Sequence, residues 1–453
     1  MAITICNINA VLVTKKTEEL ITMFIRDYSK QFKNRQGILE ATLVVGLDIG
    51  SKFNAMAFMN KEGDVLGRYP RVYNSWKGFE FFSNAINEVK SRNGFDSVII
   101  GMEPTGHYWR KVAYFAKEKG YEVRFIRTTA LKNQRALDLS STAKSDMKDA
   151  IVIANIVREG KFIDTVIQDG VYRQLRTLAK TRERIKRYQT GAMNALRAAV
   201  DDYFPELFDV FYSVKSQGLC AVLERCPFPV DALSLGVDEL YELIGKASRR
   251  RKVAREKAEQ VIDAAKTSIG IKELGSGDRF RVSMHLQEVR RTETQLQEIE
   301  CEMGRLLKSL PIADYLMSIR GVGLLSTAQF LGELGDPKNF TNPKQIIKYA
   351  GYDPVENDSG LRTTRKRISK KGRWLLRKTL YFMSIQSVKN NVYFNDYYLR
   401  KLKESSRFGR TITKKEALCA VAIKLIKVIF ALLRDKRTFT EIPEMPDKLA
   451  LSA

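Results

Sequence analysis

The chain has 453 residues, long enough for two or three cores, since one core seldom extends beyond roughly 250 residues. Its 77 Lys and Arg against 52 Asp and Glu leave a net charge of +25, which calls for a polyanionic partner. Two histidines and five scattered cysteines without a CxxC pair exclude paired-histidine nucleases, a zinc ribbon and a disulfide framework, and fit a reducing, cytoplasmic compartment.

Residues 1–40 read as an N-terminal extension with helical periodicity around Leu20, Met23, Phe24 and Phe32 and no visible chemistry. The start MAITICNINAVLV lacks a positive leader and a small-residue cleavage site, so no export is expected. From Ala41 the apolar run LVVGLDIG, then FNAMAFMN, a Glu62-Gly63-Asp64 turn and VLGRYPRVYN predict a three-stranded antiparallel meander. A helix over Ser75–Lys90, the strand SVIIGM, a helix over His107–Lys119 and the strand EVRFI follow. Strands alternating with helices predict an α/β layer over 41–165, closed by a helical region at 128–160 that carries AKSDMKDA.

Residues 166–311 read as a basic helical and coiled-coil region. A long basic helix is expected over Val171–Val200, and a second over KASRRRKVAREKAEQVIDAAK. Val289, Thr292, Leu296, Ile299, Met303, Leu306 and Leu310 alternate at three and four residues, a short heptad register. It suits pairing between protomers or an intrachain hairpin, and pairing between protomers is the preferred reading. Residues 312–437 form the C-terminal region and 438–453 a tail; within it, 361–437 hold 22 basic and 4 acidic side chains, a net of +18. ALCAVAIKLIKVIFALL is interrupted by Lys424 and Lys427, so an amphipathic helix is expected there and no membrane span.

Four acids carry the chemistry. Asp48 ends one apolar strand and Glu103 follows another, so both belong at neighbouring strand ends; Asp146 and Asp149 are three residues apart and share a helix face. Oxygen-only ligands suit a hard divalent ion such as magnesium, which assists phosphoryl transfer. No phosphate loop of the Gly-x-x-x-x-Gly-Lys-Ser/Thr form is present, so ATP-driven chemistry is not signalled. IRGVGLLSTAQFL has the hydrophobic-Gly-hydrophobic-Gly form of a helix-hairpin-helix, whose turn can aim backbone N–H groups at a phosphate. Tyr349, Tyr352 and Tyr381 lack the His and Arg partners of a tyrosine recombinase, and read as core or base-stacking residues.

LVVGLDIGSK, GMEPTGHYW and AKSDMKDA resemble the DEDD, RuvC-like domain of insertion-sequence transposases of the IS one-ten family, and the run from SIRGVGLLSTAQFL to RKTLYFMS resembles that family's second domain. Together they cover about two-thirds of the chain. The resemblance implies an RNase H-like mixed sheet, a helical middle and a mainly helical C-terminal serine transposase domain. Where the family has proline, this chain has Arg320. The resemblance places the metal on Asp48, Glu103, Asp146 and Asp149, and the DNA-attacking nucleophile on Ser359 of DPVENDSGLRTTRKR. A seryl phosphodiester preserves the energy of the cut strand, so rejoining needs no ATP.

Expected nucleic-acid contacts are Arg320, Arg362, Arg365, Lys366, Arg367, Lys370, Lys371, Arg373 and Arg377. The resemblance further implies DNA excision and insertion guided by a structured non-coding bridge RNA, in homodimers and homotetramers whose site is shared between protomers, in a nucleoid-associated cytoplasmic protein. The alternative enzyme is a RuvC-type magnesium-dependent junction-resolving nuclease that uses water. An actin-like sugar kinase would need a second glycine-rich repeat, which is not found. Charge alone would also permit a nucleic-acid-binding accessory protein.

Overall fold

The apolar run at Thr42–Asp48 (β1) is the middle strand of a five-stranded mixed sheet. The computed structural model describes residues 30–38, 40–104, 106–138, 145–163, 167–248, 251–355, 367–404 and 411–440. They fall into two compact units, Met1–Ile167 and Gln168–Ala453.

In the first unit, β1 pairs antiparallel with β2 (Phe53–Met59), and β2 pairs antiparallel with β3 (Val65–Tyr73). On its other edge β1 runs parallel to β4 (Ser97–Met102), which runs parallel to β5 (Glu122–Phe125). The sheet order is therefore β3-β2-β1-β4-β5. The near-continuous burial of β1 and β2 follows from cover on both faces. On one face lie α1 (Trp76–Arg92), with Phe82, Ala85 and Ile86, and α2 (Trp109–Glu118), with Val112 and Ala116. Ser75 caps α1 by accepting from the Gly78 N–H at 3.2 Å. After α3 (Thr128–Asp138), α4 (Asp146–Arg158) covers the opposite face with Val152, Ile153, Ile156 and Val157.

The seat of α4 is built from small residues. A Cβ on Gly46 of β1 would lie 2.0 Å from the Ala150 carbonyl oxygen, and one on Gly101 of β4 would lie 2.3 Å from Val157 Cγ2. Ala55 and Ala57 of β2 pack against Ala150. Both strands are thus bare where the helix packs on them, its backbone over Gly46 and its side chains over Gly101. At the far end of α4, Gln31 and Asn34 in the helical stretch 30–36 donate to the carbonyls of Glu159 at 3.3 Å and Gly160 at 3.2 Å. The described end of the N-terminal extension thereby satisfies carbonyls that a helix C-terminus leaves open.

Among its described residues, the second unit is helical apart from a two-residue ladder. Its long α5 (Gly170–Tyr203) is followed by a single turn at Leu207–Val210, α6 (Gln217–Arg225), α7 (Pro229–Ser248), α8 (Arg251–Lys266) and the long α9 (Ser276–Leu307). One core gathers Leu196, Phe204, Phe211, Leu223, Leu240, Val261 and Leu286 from these helices. The heptad positions Val289, Thr292, Leu296, Met303 and Leu306 of α9 are buried within the chain, and Arg182 of α5 donates to Glu300 of α9 at 2.7 Å. The intrachain alternative therefore holds for this seam: a partner helix from the same chain already covers the apolar stripe, so it is not left for pairing between protomers.

A second core joins the start of α5 and the end of α9 to α10 (Ile312–Met317), α11 (Leu324–Leu334), α12 (Pro343–Ala350), α13 (Trp374–Asn390), α14 (Val392–Lys403) and α15 (Lys414–Asp435). Gly321 between α10 and α11 has φ +94°, and a Cβ there would meet the Gln386 carbonyl oxygen at 2.5 Å. The helix-hairpin-helix-like turn is thus pressed against the backbone of α13. Thr413 and Glu416 form a capping box on α15, whose apolar face (Val421, Leu425, Ile426, Ile429) is buried. Among the described residues no helix is long and apolar enough to cross a membrane.

The seat of α4 yields a paired prediction. Gly46→Val forces α4 off the sheet and lowers unfolding stability by about 3 kcal/mol or more. Gly191→Ala, in α5 with nothing within 4 Å of the added Cβ, raises it by about 0.5–1 kcal/mol. Urea midpoints check both; a Gly46→Val midpoint equal to wild type would contradict the close seat.

Candidate active site

Asp48 is the last residue of β1, and Glu103 directly follows β4. The register pairs Leu47 with Met102, so the two acids extend adjacent parallel strands at the same end. Asp146 and Asp149 occupy the first turn of α4, after the extended N-cap Ser145. That position suits carboxylates, because the helix N-terminus carries partial positive charge. All four acids line one cavity of about 260 Å³, together with Ile49, Gly50, Phe53, Ala55 and Arg135.

The four differ in exposure: Asp149 is buried at 2%, Asp48 and Glu103 are half-buried, and Asp146 is exposed. Burial, with repulsion from Asp149 and Asp146, pushes the Asp48 carboxyl up to about 6; Arg135 opposes the rise and Glu103 adds to it. Arg135, from α3, donates to Asp149 Oδ2. It is the cation lining the cavity.

The β1–β2 turn at the rim is held by two asparagines. Asn54 Oδ1 accepts from the Gly50 N–H at 3.2 Å, and its amide donates to Asn74 Oδ1 at 2.9 Å. Asn74 in turn donates to the carbonyls of Gly50 and Ser51 at 3.0 Å. Asn54 is buried, so this network fixes the backbone directly after Asp48.

The donor set is oxygen-only and mutually repulsive, which fits a hard divalent cation. Among the described residues no group of three or more His, Cys, Asp or Glu stands at metal-binding separation; the four acids line the same cavity without forming such a group.

In the second unit, Ser359, Arg362, Arg365 and Lys366 lie outside the described residues. The chain leading to and from them is described: Pro354–Val355 (β6) pairs antiparallel with Arg367–Ile368 (β7). The Ser369 N–H donates to the Asp353 carbonyl at 2.8 Å, and their side chains also bond. Arg367, Lys370, Lys371 and Arg320 are exposed. Arg373 and Arg377 face inward instead. Arg373 stacks 4.8 Å from the Tyr349 ring centre and reaches the buried Glu333 at 3.5 Å. Arg377 donates to the carbonyls of Ala350 at 2.9 Å and Lys370 at 3.3 Å. Tyr352 is buried and its hydroxyl donates to the Arg377 carbonyl at 3.0 Å. These contacts tie α13 to the chain around Ala350 and Lys370, and the two tyrosines are packing groups.

Sequence reasoning missed Arg135, Asn54, Asn74 and Glu333. Glu333, 2% exposed, carries a sequence signal in retrospect, being the one charged residue of α11. Arg135 carries none, because only the folded chain sets it against Asp149.

Comparison with known proteins converges on one group. A family of DEDD transposases of the IS110 type matches residues 45–205, and the family described as "Transposase IS116/IS110/IS902 family" matches residues 313–399. The chain is 26% identical over 343 residues to the insertion element IS110 uncharacterized 43.6 kDa protein of Streptomyces coelicolor, covering 75% of this chain and 82% of the relative. It is 26% identical over 306 residues to the IS116 counterpart of Streptomyces clavuligerus, covering 66% and 73%. The pilin gene-inverting protein of Moraxella lacunata is 25% identical over 158 residues, covering 33% and 47%. The four acids fall inside the first matched span, and Ser359 with the basic residues from Arg320 to Arg377 falls inside the second.

The raised Asp48 carboxyl predicts a pH signature. Because its folded value of about 6 exceeds the ordinary aspartate value of 3.8, the charged form costs stability above both values, and the cost disappears as pH falls through that window. Asp48→Asn therefore stabilises the metal-free protein at pH 8 by on the order of 1–2 kcal/mol, with no gain at pH 3.5. Thermal melts across that range check it, and an unchanged pH 8 melting temperature would contradict the crowding of the acids.

Proposed function

The chain belongs to the IS110 family of insertion-sequence transposases, and from that premise we propose that it excises and inserts its element by cutting and rejoining DNA through a 5′-phosphoserine at Ser359. The observation that carries the reading is the convergence of Asp48, Glu103, Asp146 and Asp149 on one cavity. In this reading the first unit is RNase H-like, and a structured bridge RNA pairs with donor and target. Homodimers or homotetramers assemble on the DNA, in the cytoplasm with the nucleoid.

The Ser359 hydroxyl attacks a DNA phosphorus and loses its proton; the phosphorus–oxygen bond to the 3′ side breaks, leaving a free 3′-hydroxyl and a 5′-phosphoserine. A 3′-hydroxyl from the other duplex then attacks the same phosphorus and releases the serine. One phosphodiester is broken and one made, so no ATP is consumed. The four carboxylates would hold a divalent ion, which we take to be magnesium, and when bound it supplies neutralisation of the phosphoryl charge. Arg362, Arg365, Lys366 and Arg367 add cationic stabilisation beside the serine. The exposed Lys370, Lys371 and Arg320 hold flanking phosphates, while Arg373 and Arg377 keep the foot of the segment in place. The runner-up, a RuvC-type junction-resolving nuclease, uses the same acids with water and leaves no protein–DNA bond.

Recombination between a donor and a target plasmid separates these readings. Ser359→Ala reduces product roughly a thousandfold or more and abolishes the covalent adduct; undiminished product would overturn the nucleophile. Replacing Asp146 and Asp149 together with Asn abolishes divalent-dependent strand cutting while RNA binding persists. Strand cutting by the wild type with no adduct at any time would favour the nuclease.

A further inference from the structure

Helix α13 leaves two large aromatic side chains exposed on its outward side. Its inward side, with Leu375, Leu376, Leu380 and Met383, is buried in the C-terminal core. Its outward side presents Trp374, Lys378, Phe382 and Gln386 at intervals of four, all exposed, with Trp374 46% and Phe382 52% accessible. Large aromatics left exposed on one helix face mark a contact surface. The spacing sets Trp374 and Phe382 roughly 12 Å apart along the axis, with an ammonium group between them.

Charge identifies the partner. Helix α5 meets this face through two contacts: Lys378 donates to Glu183 at 2.6 Å, and the Arg187 guanidinium lies 5.3 Å from the Trp374 ring centre. On the exposed side of α5, Arg173, Lys180, Arg184 and Arg187 recur at helical spacing. Glu183 is already paired to Lys378 and, at 4.0 Å, to Arg187. A second copy of the chain would bring its own +25 to a basic surface. A duplex would offer phosphates to the cations and leave the rings without partners. A strand with unpaired bases supplies phosphates for α5 and flat rings for Trp374 and Phe382.

We propose that the outward face of α13, with Arg187 of α5, is a stacking platform for unpaired nucleotides, with Trp374 and Phe382 as the base-contacting residues. The proposal rests on the reading of the chain as a nucleic-acid enzyme, and it adds that this face selects unpaired over duplex strands.

Fluorescence anisotropy of the full chain with labelled oligo-U, oligo-dT and a duplex of equal length tests it, using wild type, Trp374→Ala, Trp374→Phe and Phe382→Ala. Trp374→Ala weakens binding to the single strands roughly five- to hundredfold, Phe382→Ala weakens it in the same direction, Trp374→Phe retains most affinity, and duplex binding changes less than twofold. The U and dT arms tell whether RNA or DNA is the stronger occupant. Undiminished single-strand binding by Trp374→Ala would overturn the platform, as would an equal loss on the duplex, or a change of oligomeric state by light scattering with binding unaltered. If the wild type bound none of the probes, the transposase reading itself would fall.

Discussion

Helix α4 crosses β1 and β4 where neither strand has a side chain to keep it away, and this close contact decides what the first unit can do. Gly46 admits the helix backbone, and Gly101 the Val157 and Ile153 side chains, to positions that a single methyl group would occupy. The same helix carries Asp146 and Asp149 in its first turn, while the strands beneath it end at Asp48 and Glu103. Lifting the helix by the thickness of a side chain would move one pair of carboxylates away from the other. Packing and site are therefore one arrangement, and the glycines belong to the site although they bear no functional group.

That arrangement has an electrostatic cost. Four acids around one cavity raise the Asp48 carboxyl to about 6, with burial as the main cause and the neighbouring carboxylates next. Burial of Val152, Ile153, Ile156 and Val157 on α4 contributes about 1.5–3 kcal/mol for each side chain, which exceeds the penalty at Asp48. Arg135 relieves part of the rest through its bond to Asp149. The unit can thus fold around a repulsive centre. In the second unit, Arg373 and Arg377 are held by Glu333 and backbone carbonyls, while Arg367, Lys370 and Lys371 stay exposed.

Much of this was legible along the sequence because it depends on short-range pattern. The meander, the parallel strands and the helical spacing of Asp146 and Asp149 follow from periodicities of two and about 3.6 residues. Adjacency of Asp48 and Glu103 needed only that their strands be neighbours. What sequence concealed depends on contacts distant along the chain: Arg135 meeting Asp149, Asn74 securing the turn after β1, and the α9 seam closing on α5. The heptad pattern of α9 specifies a partner helix without saying whose. A basic residue reads identically whether it faces solvent, as Lys371 does, or a buried carboxylate, as Arg373 does.

We propose that the seat of α4 assembles one divalent-cation site from four carboxylates. Calorimetric titration of the metal-free chain with manganese tests it most directly, because it reads the site without nucleic acid or turnover. One ion per chain is expected for wild type and for Ser359→Ala, with that binding lost in Asp149→Asn and in Gly46→Val. Manganese binding of wild-type strength in folded Asp149→Asn would contradict it.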